Sequence, residues 1–251
     1  MDPLFSAVLL AGAAGLSLPL GGALARTAYS HETEFTEEVM HALIAFGGGA
    51  LLSAVALVLV PEGAAMLPPW LALGLLFLGG VTFYLLDLML ERSGGRGGGG
   101  GRGDASGGVS GGALLAAMLL DFLPEAVALG AMLITEAATA KLLALMMFLQ
   151  NVPEGFSAFG EIWRNGMGAR PLMLIFVALA GLGPLCAMLG MSFLGDRPAV
   201  LGGIMIFAAG GILYLVFQDV APAARTRDSS APALGAVLGF GLGLAGALIV
   251  G

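Results

Sequence analysis

The sequence predicts an all-α fold: a polytopic membrane helix bundle of eight transmembrane helices, with both termini on the extracellular or periplasmic side. Three observations predict it. The 251 residues are 58% hydrophobic and only 11% charged, with a mean hydropathy of +0.97, too apolar to clothe a soluble domain of that size. Eight apolar segments each come close to the roughly 20 residues that a bilayer core demands. The basic residues fall almost wholly at alternate ends of those segments. Within a bilayer a helix is the element expected of each, because it satisfies its own backbone polar groups. The whole of 1–251 reads as a single transmembrane domain.

The first span is Leu4–Leu24. No basic stretch or clear cleavage site marks it as a removed signal, so it reads as a true span. An acidic loop follows, "RTAYSHETEFTEE", with His31 in it; it reads as solvated. Span two is Val39–Val60, with His41 at its start as a local hydrogen-bonding group and Pro61-Glu62-Gly63 at its far end, where Glu62 is close to the interface. Span three is Pro69–Leu90, with Asp87 near the membrane–water boundary. The following stretch, 91–110, reads "ERSGGRGGGGGRGDASGGVS" and is expected to be a flexible Gly-rich loop. Its glycines are not a phosphate cradle, since no strand precedes them and no Gly-Lys-Ser/Thr follows.

Spans four to eight are Gly111–Thr135, Lys141–Gly160, Leu172–Leu194, Ala199–Val220 and Ala231–Val250. Orientation follows from the arginines. With the N-terminus outside, the inner ends and loops hold Arg26, Arg92, Arg96, Arg102, Arg164, Arg170, Arg225 and Arg227, against Lys141 and Arg197 outside. Eight against two sets the topology and makes 91–110 cytoplasmic. The net charge of −7 arises partly from loop acids and partly from acids in the spans. Nothing basic or aromatic is patterned for nucleic acid. The single cysteine, Cys186, lies in an apolar run and reads as packing.

The few polar residues at membrane depth carry the chemistry. Span four contains "LLDFLPEAVALG", with Asp121 and Glu125; span five contains "LQNVPEGFSAFG", with Gln150, Asn151 and Glu154; span seven ends in "LYLVFQDVAP", with Gln218 and Asp219. An ionisable group near mid-membrane costs about 3 kcal/mol, so such groups mark a pathway or site. Asp121 and Glu125 are four apart and share a helix face, and Gln150 and Glu154 repeat that offset. Pro124 and Pro153 stand just before the glutamates, each removing one backbone hydrogen bond and freeing carbonyls at Leu120 and at Leu149–Gln150. Carboxylate, amide and carbonyl oxygens are hard ligands suited to divalent cations, and facing acids repel unless a cation or protons lie between them.

Eight spans with outside termini, a long cytoplasmic loop after span three, and the motifs "DFLPEA", "QNVPEG" and "QDVAP" resemble the ZIP (Zrt/Irt-like protein) metal transporters, bacterial branch. The resemblance implies a transporter that imports divalent metal cations, down a gradient or by alternating access, as a homodimer in the plasma or inner membrane. Zinc is the first choice of ion, with Mn, Fe, Cd or a broad range behind it. The metal is substrate, and no resident cofactor is expected. Carried over residue by residue, the resemblance implies a primary site of Asp121, Glu125, Gln150 and Glu154, with Asn151 on a second-site position and Gln218 and Asp219 near the cytoplasmic exit. The chain departs from the family where Asp121 replaces a histidine, Phe122 an asparagine, and span six carries no carboxylate. One metal in an oxygen-only shell is therefore expected. An enzyme is not expected: no intramembrane histidine lies in the later spans to activate Ser110 as an intramembrane protease would need. The alternative reading is a proton-coupled secondary carrier of a small solute.

Overall fold

In the computed structural model, residues 2–29, 34–92, 111–226 and 230–250 are described. His31, Arg96, Arg102, Arg227 and nearly all of the 91–110 loop lie outside them. Eight helices among the described residues are long and apolar enough to cross a membrane, and no strand interrupts them. They are α1 (Pro3–Ala28), α2 (Glu34–Ala54, continued through the π-helical turn Val55–Leu59 into Val60–Ala65), α3 (Pro69–Arg92), α4 (Gly111–Thr135), α5 (Ala137–Arg164), α6 (Ala169–Leu194), α7 (Pro198–Leu215, continued through the π-helical turn Val216–Val220 into Ala221–Ala223) and α8 (Ala233–Val250).

The boundaries have local causes. Asp2 caps α1, its Oδ1 accepting from the Leu4 amide at 3.0 Å, with Pro3 at the first helical position. Only Glu136 separates α4 from α5, so the two helices fold back as neighbours. Beyond the C-terminus of α5, Gly166 takes φ +101°, the left-handed conformation that glycine adopts without a Cβ penalty. Both π turns precede a proline by two residues, Pro61 and Pro222. Such turns accommodate a helix whose backbone ladder is interrupted. Pro124 and Pro153, in contrast, sit inside helices that stay α-helical throughout.

The helices form two groups. α1 packs on α5 and α6, and α4 bridges α5 and α6; α2 packs on α8, and α3 on α7. The groups meet where α2 and α8 touch α5 and where α4 touches α7. Without a hydrophobic force between helices in lipid, close backbone approach supplies much of the attraction, and glycine permits it. A Cβ at Gly130 of α4 would run into the Ala187 carbonyl of α6, and one at Gly190 of α6 into the Val127 carbonyl of α4. Gly235 and Gly239 of α8 press in the same way on Ala42 and Phe46 of α2. At the far end of α1 the Tyr29 ring stacks on Phe156, and Arg164 lies 5.3 Å over it.

Asp87, near the end of α3, is buried between α3 and α7, where the Tyr214 hydroxyl donates to its Oδ2 at 2.7 Å. Desolvation is tolerable there because the carboxylate has a donor. Outward faces are apolar, with Trp70, Phe77 and Met89 of α3 and Leu248 and Ile249 of α8 exposed, as a lipid-facing surface requires.

Gly130→Val forces a branched side chain into the α6 backbone. It should cost about 1–3 kcal/mol, the usual overpacking penalty, and lower the thermal midpoint of the detergent-solubilised protein. Gly74→Ala and Gly241→Ala, where a Cβ meets nothing within 4 Å, should leave that midpoint unchanged.

Candidate functional site

α4 and α5 bring five of the seven singled-out residues into one buried cluster. Asp121, Glu125, Gln150 and Asn151 are 2% exposed or less, and Glu154 is half-buried with its Oε2 inside. Helical spacing explains the grouping. Asp121 and Glu125 lie one turn apart on α4, and Gln150 and Glu154 one turn apart on α5, so two polar stripes face each other across the pair. Gln150 donates from Nε2 to Glu125 Oε2 at 2.6 Å and so joins the helices. The carboxylate of Glu125 lies within electrostatic reach of both Asp121 and Glu154, and Glu154 within reach of Asp121.

α1 contributes a part that sequence reasoning missed. Asn151 donates from Nδ2 to the Ala14 carbonyl at 2.9 Å, and the buried Ser17 hydroxyl donates to the same oxygen at 2.5 Å. A backbone carbonyl has no sequence signature, and 137 residues separate the partners, so nothing local in the chain announces the contact. The residues around the cluster fit it closely. Gly47 of α2 lies against the Pro153 ring, and Gly21 of α1 against the Val152 carbonyl.

The chemistry of the cluster follows from what its atoms lack. Asp121 Oδ1, Glu125 Oε1, Gln150 Oε1, Asn151 Oδ1 and Glu154 Oε2 are buried with no hydrogen-bond donor. All five are acceptors. A buried acceptor without a partner costs about 1–3 kcal/mol, more when charged, so five together call for donors or positive charge: protons, ordered water or a metal cation. Among the described residues no three His, Cys, Asp or Glu side chains converge tightly enough to hold a metal by themselves. A cation shell here thus needs the amide oxygens of Gln150 and Asn151 and rotation of the carboxylates.

Gln218 and Asp219 are on neither α4 nor α5. They lie in the π turn of α7; Val220 of that turn packs on Gly48 of α2, and Gln218 lines a groove between α3 and α7 with Phe77, Gly80 and Tyr214. Glu62 is half-buried at the far end of α2, within electrostatic reach of Glu136. Cys186 packs with the apolar core, as expected.

Fold and site together define a multi-pass membrane protein with a buried, acceptor-rich polar cluster at the contact of α4, α5 and α1. No family model matches the chain, and no curated protein does.

Asn151→Leu removes the side-chain hydrogen bond from α5 to the Ala14 carbonyl of α1. It should lower the thermal midpoint by an amount corresponding to about 1–3 kcal/mol. Ser17→Ala removes only a bond within α1 and should cost less.

Proposed function

We propose that this protein transports divalent metal cations across the cell membrane, plasma or inner, through the cluster of Asp121, Glu125, Gln150, Asn151 and Glu154. One observation carries the reading: five buried oxygen acceptors without donors stand together at membrane depth on adjacent helices. Three of these groups are carboxylates in mutual electrostatic reach. A divalent ion among them offsets their repulsion and supplies the missing positive partner for the amide oxygens.

The resemblance to ZIP transporters rests on "DFLPEA", "QNVPEG" and "QDVAP" and supports the same reading, with import as the direction, zinc as the first ion to try and a homodimer as the assembly. The two helix groups, which meet where α2 and α8 touch α5 and where α4 touches α7, are the bodies that alternating access would move. Gln218 and Asp219, in the π turn of α7, belong on this reading to the exit route. Half-buried Glu154 is the member of the cluster through which an ion gains entry.

A second reading has an observation in its favour. The carboxylates do not converge on one point by themselves, which suits protons as well as a metal. A proton-coupled carrier of a small solute is that alternative.

Expression in metal-depleted cells, with whole-cell Zn, Mn, Fe, Co, Cd and Mg measured by mass spectrometry, separates the two. Wild type should accumulate at least one divalent metal. Glu125→Ala and Glu154→Ala, at matched membrane abundance, should abolish that accumulation. Unchanged metal content in wild type, or uptake that survives both substitutions, sinks the metal reading and leaves the proton-coupled carrier.

A further inference from the structure

We infer that the α4–α5 cluster opens toward the Arg164 end of the bundle along one polar face of α5, and that Ser157 and Glu161 are two further residues a cation meets on that path. The inference rests on the cation-transport reading for what travels, and it adds residues to the route.

Helix geometry is the first ground. At 3.6 residues per turn, Gln150, Glu154, Ser157 and Glu161 fall within about 60° of arc on α5. They make a straight stripe that runs about 16 Å from the cluster toward Arg164. Counted the other way from Gln150, the same side of the helix carries Leu143, Met146 and Met147. One face of one helix is thus polar on one side of Gln150 and apolar on the other.

Burial is the second ground. Leu143, Met146 and Met147 are fully buried, and so are Leu129 and Met132 of α4, beyond Glu125. Toward Arg164 the pattern changes. Between Pro153 and Ile162, Glu154, Ser157 and Glu161 are half-buried and every other residue is buried. Access therefore returns with the helical period, and at polar positions. α1 covers the opposite face of α5, with the Leu18 carbonyl against Gly155 and the Tyr29 ring against Gly160. The stripe faces away from it, below the bond that joins Gln150 to Glu125.

Charge is the third ground. Glu154 keeps Oε2 inside the cluster without a partner, so its carboxylate stands at the junction of cluster and stripe. Glu161 lies two turns further along. Arg164 follows on that side, and its guanidinium lies over the Tyr29 ring of α1. Two carboxylates with a hydroxyl between them offer a hard cation successive oxygen ligands, about 5 Å apart along the axis. Acids lining a cleft with apolar walls also raise the local concentration of cations.

The test labels single cysteines in the full chain in lipid nanodiscs, with Cys186→Ala removing the native thiol. Two water-soluble methanethiosulfonates are the probes, one a quaternary ammonium and one a sulfonate. Ser157→Cys should react with both, and about fivefold faster with the cationic reagent once each rate is scaled to that of a free thiol. Met147→Cys, on the other side of Gln150, should stay unlabelled. Adding Glu161→Gln to Ser157→Cys should bring the two scaled rates within about twofold of each other, and Glu161→Asp should preserve the preference. In cells, Glu161→Gln should slow the initial uptake of the accumulated metal, and Glu161→Asp should restore it. A Ser157→Cys variant as inert as Met147→Cys overturns the path. A charge preference that survives Glu161→Gln overturns the part given to Glu161. The labelling needs neither bound metal nor uptake, so its failure leaves metal accumulation standing. A chain that labels as expected and accumulates no metal keeps the path and loses the transport reading.

Discussion

Hydrocarbon offers no hydrogen bonds, and the rest of this structure depends on that constraint. Each backbone group inside the bilayer must be satisfied by its own helix, which gives eight helices and excludes other spanning elements. Each polar side chain must find its partner inside the protein. Asp87 does so through Tyr214, and Ser17 and Ser53 through carbonyls one turn back on their own helices. The cluster on α4 and α5 is the exception. Two of its bonds are made, Gln150 to Glu125 and Asn151 to Ala14, and five acceptor atoms are left over. Structural polar groups in a membrane are matched donor to acceptor. A surplus of one kind sets this cluster apart from the fastenings elsewhere in the fold.

The helices hold that cluster through shape rather than through polar bonds. Gly47, Gly21 and Gly155 allow α2 and α1 to lie directly against the Pro153 turn of α5. Gly130 and Gly190 bring α4 and α6 into backbone contact. Such contacts depend on the absence of a single carbon atom, so they fix the helices with little tolerance. The placement of Glu125 and Glu154 therefore rests on residues far from them in sequence, and of these contacts Gly47 on Pro153 is the one that crosses between the two helix groups.

Much of this was legible in the sequence, and the reasons are physical. Span four was placed at Gly111–Thr135, its bounds in the structure, because length and hydropathy alone decide a span. Spans two and seven run several residues further than expected, to Ala65 and Ala223. Each expected end falls just before a proline, Pro61 or Pro222, and a π turn carries the helix through it. The pairing of Asp121 with Glu125 and of Gln150 with Glu154 was readable from the four-residue offset. The Ala14 carbonyl, the Asp87–Tyr214 bond and the lodging of Phe122 against Gly183 were not, because each joins residues far apart in the chain with no local pattern.

Phe122 shows why the third dimension matters to chemistry here. In sequence it is one apolar residue among many, notable only for its place between Asp121 and Glu125. In the structure it is an apolar side chain buried beside Asp121, its ring filling the room that Gly183 of α6 leaves. Apolar packing of this kind acts on the acids near it. It lowers the local dielectric, which strengthens attraction between the carboxylates and a cation and equally strengthens their mutual repulsion without one. A cluster of three acids packed against apolar side chains therefore responds more strongly to the protons or cations around it than the same acids would in water.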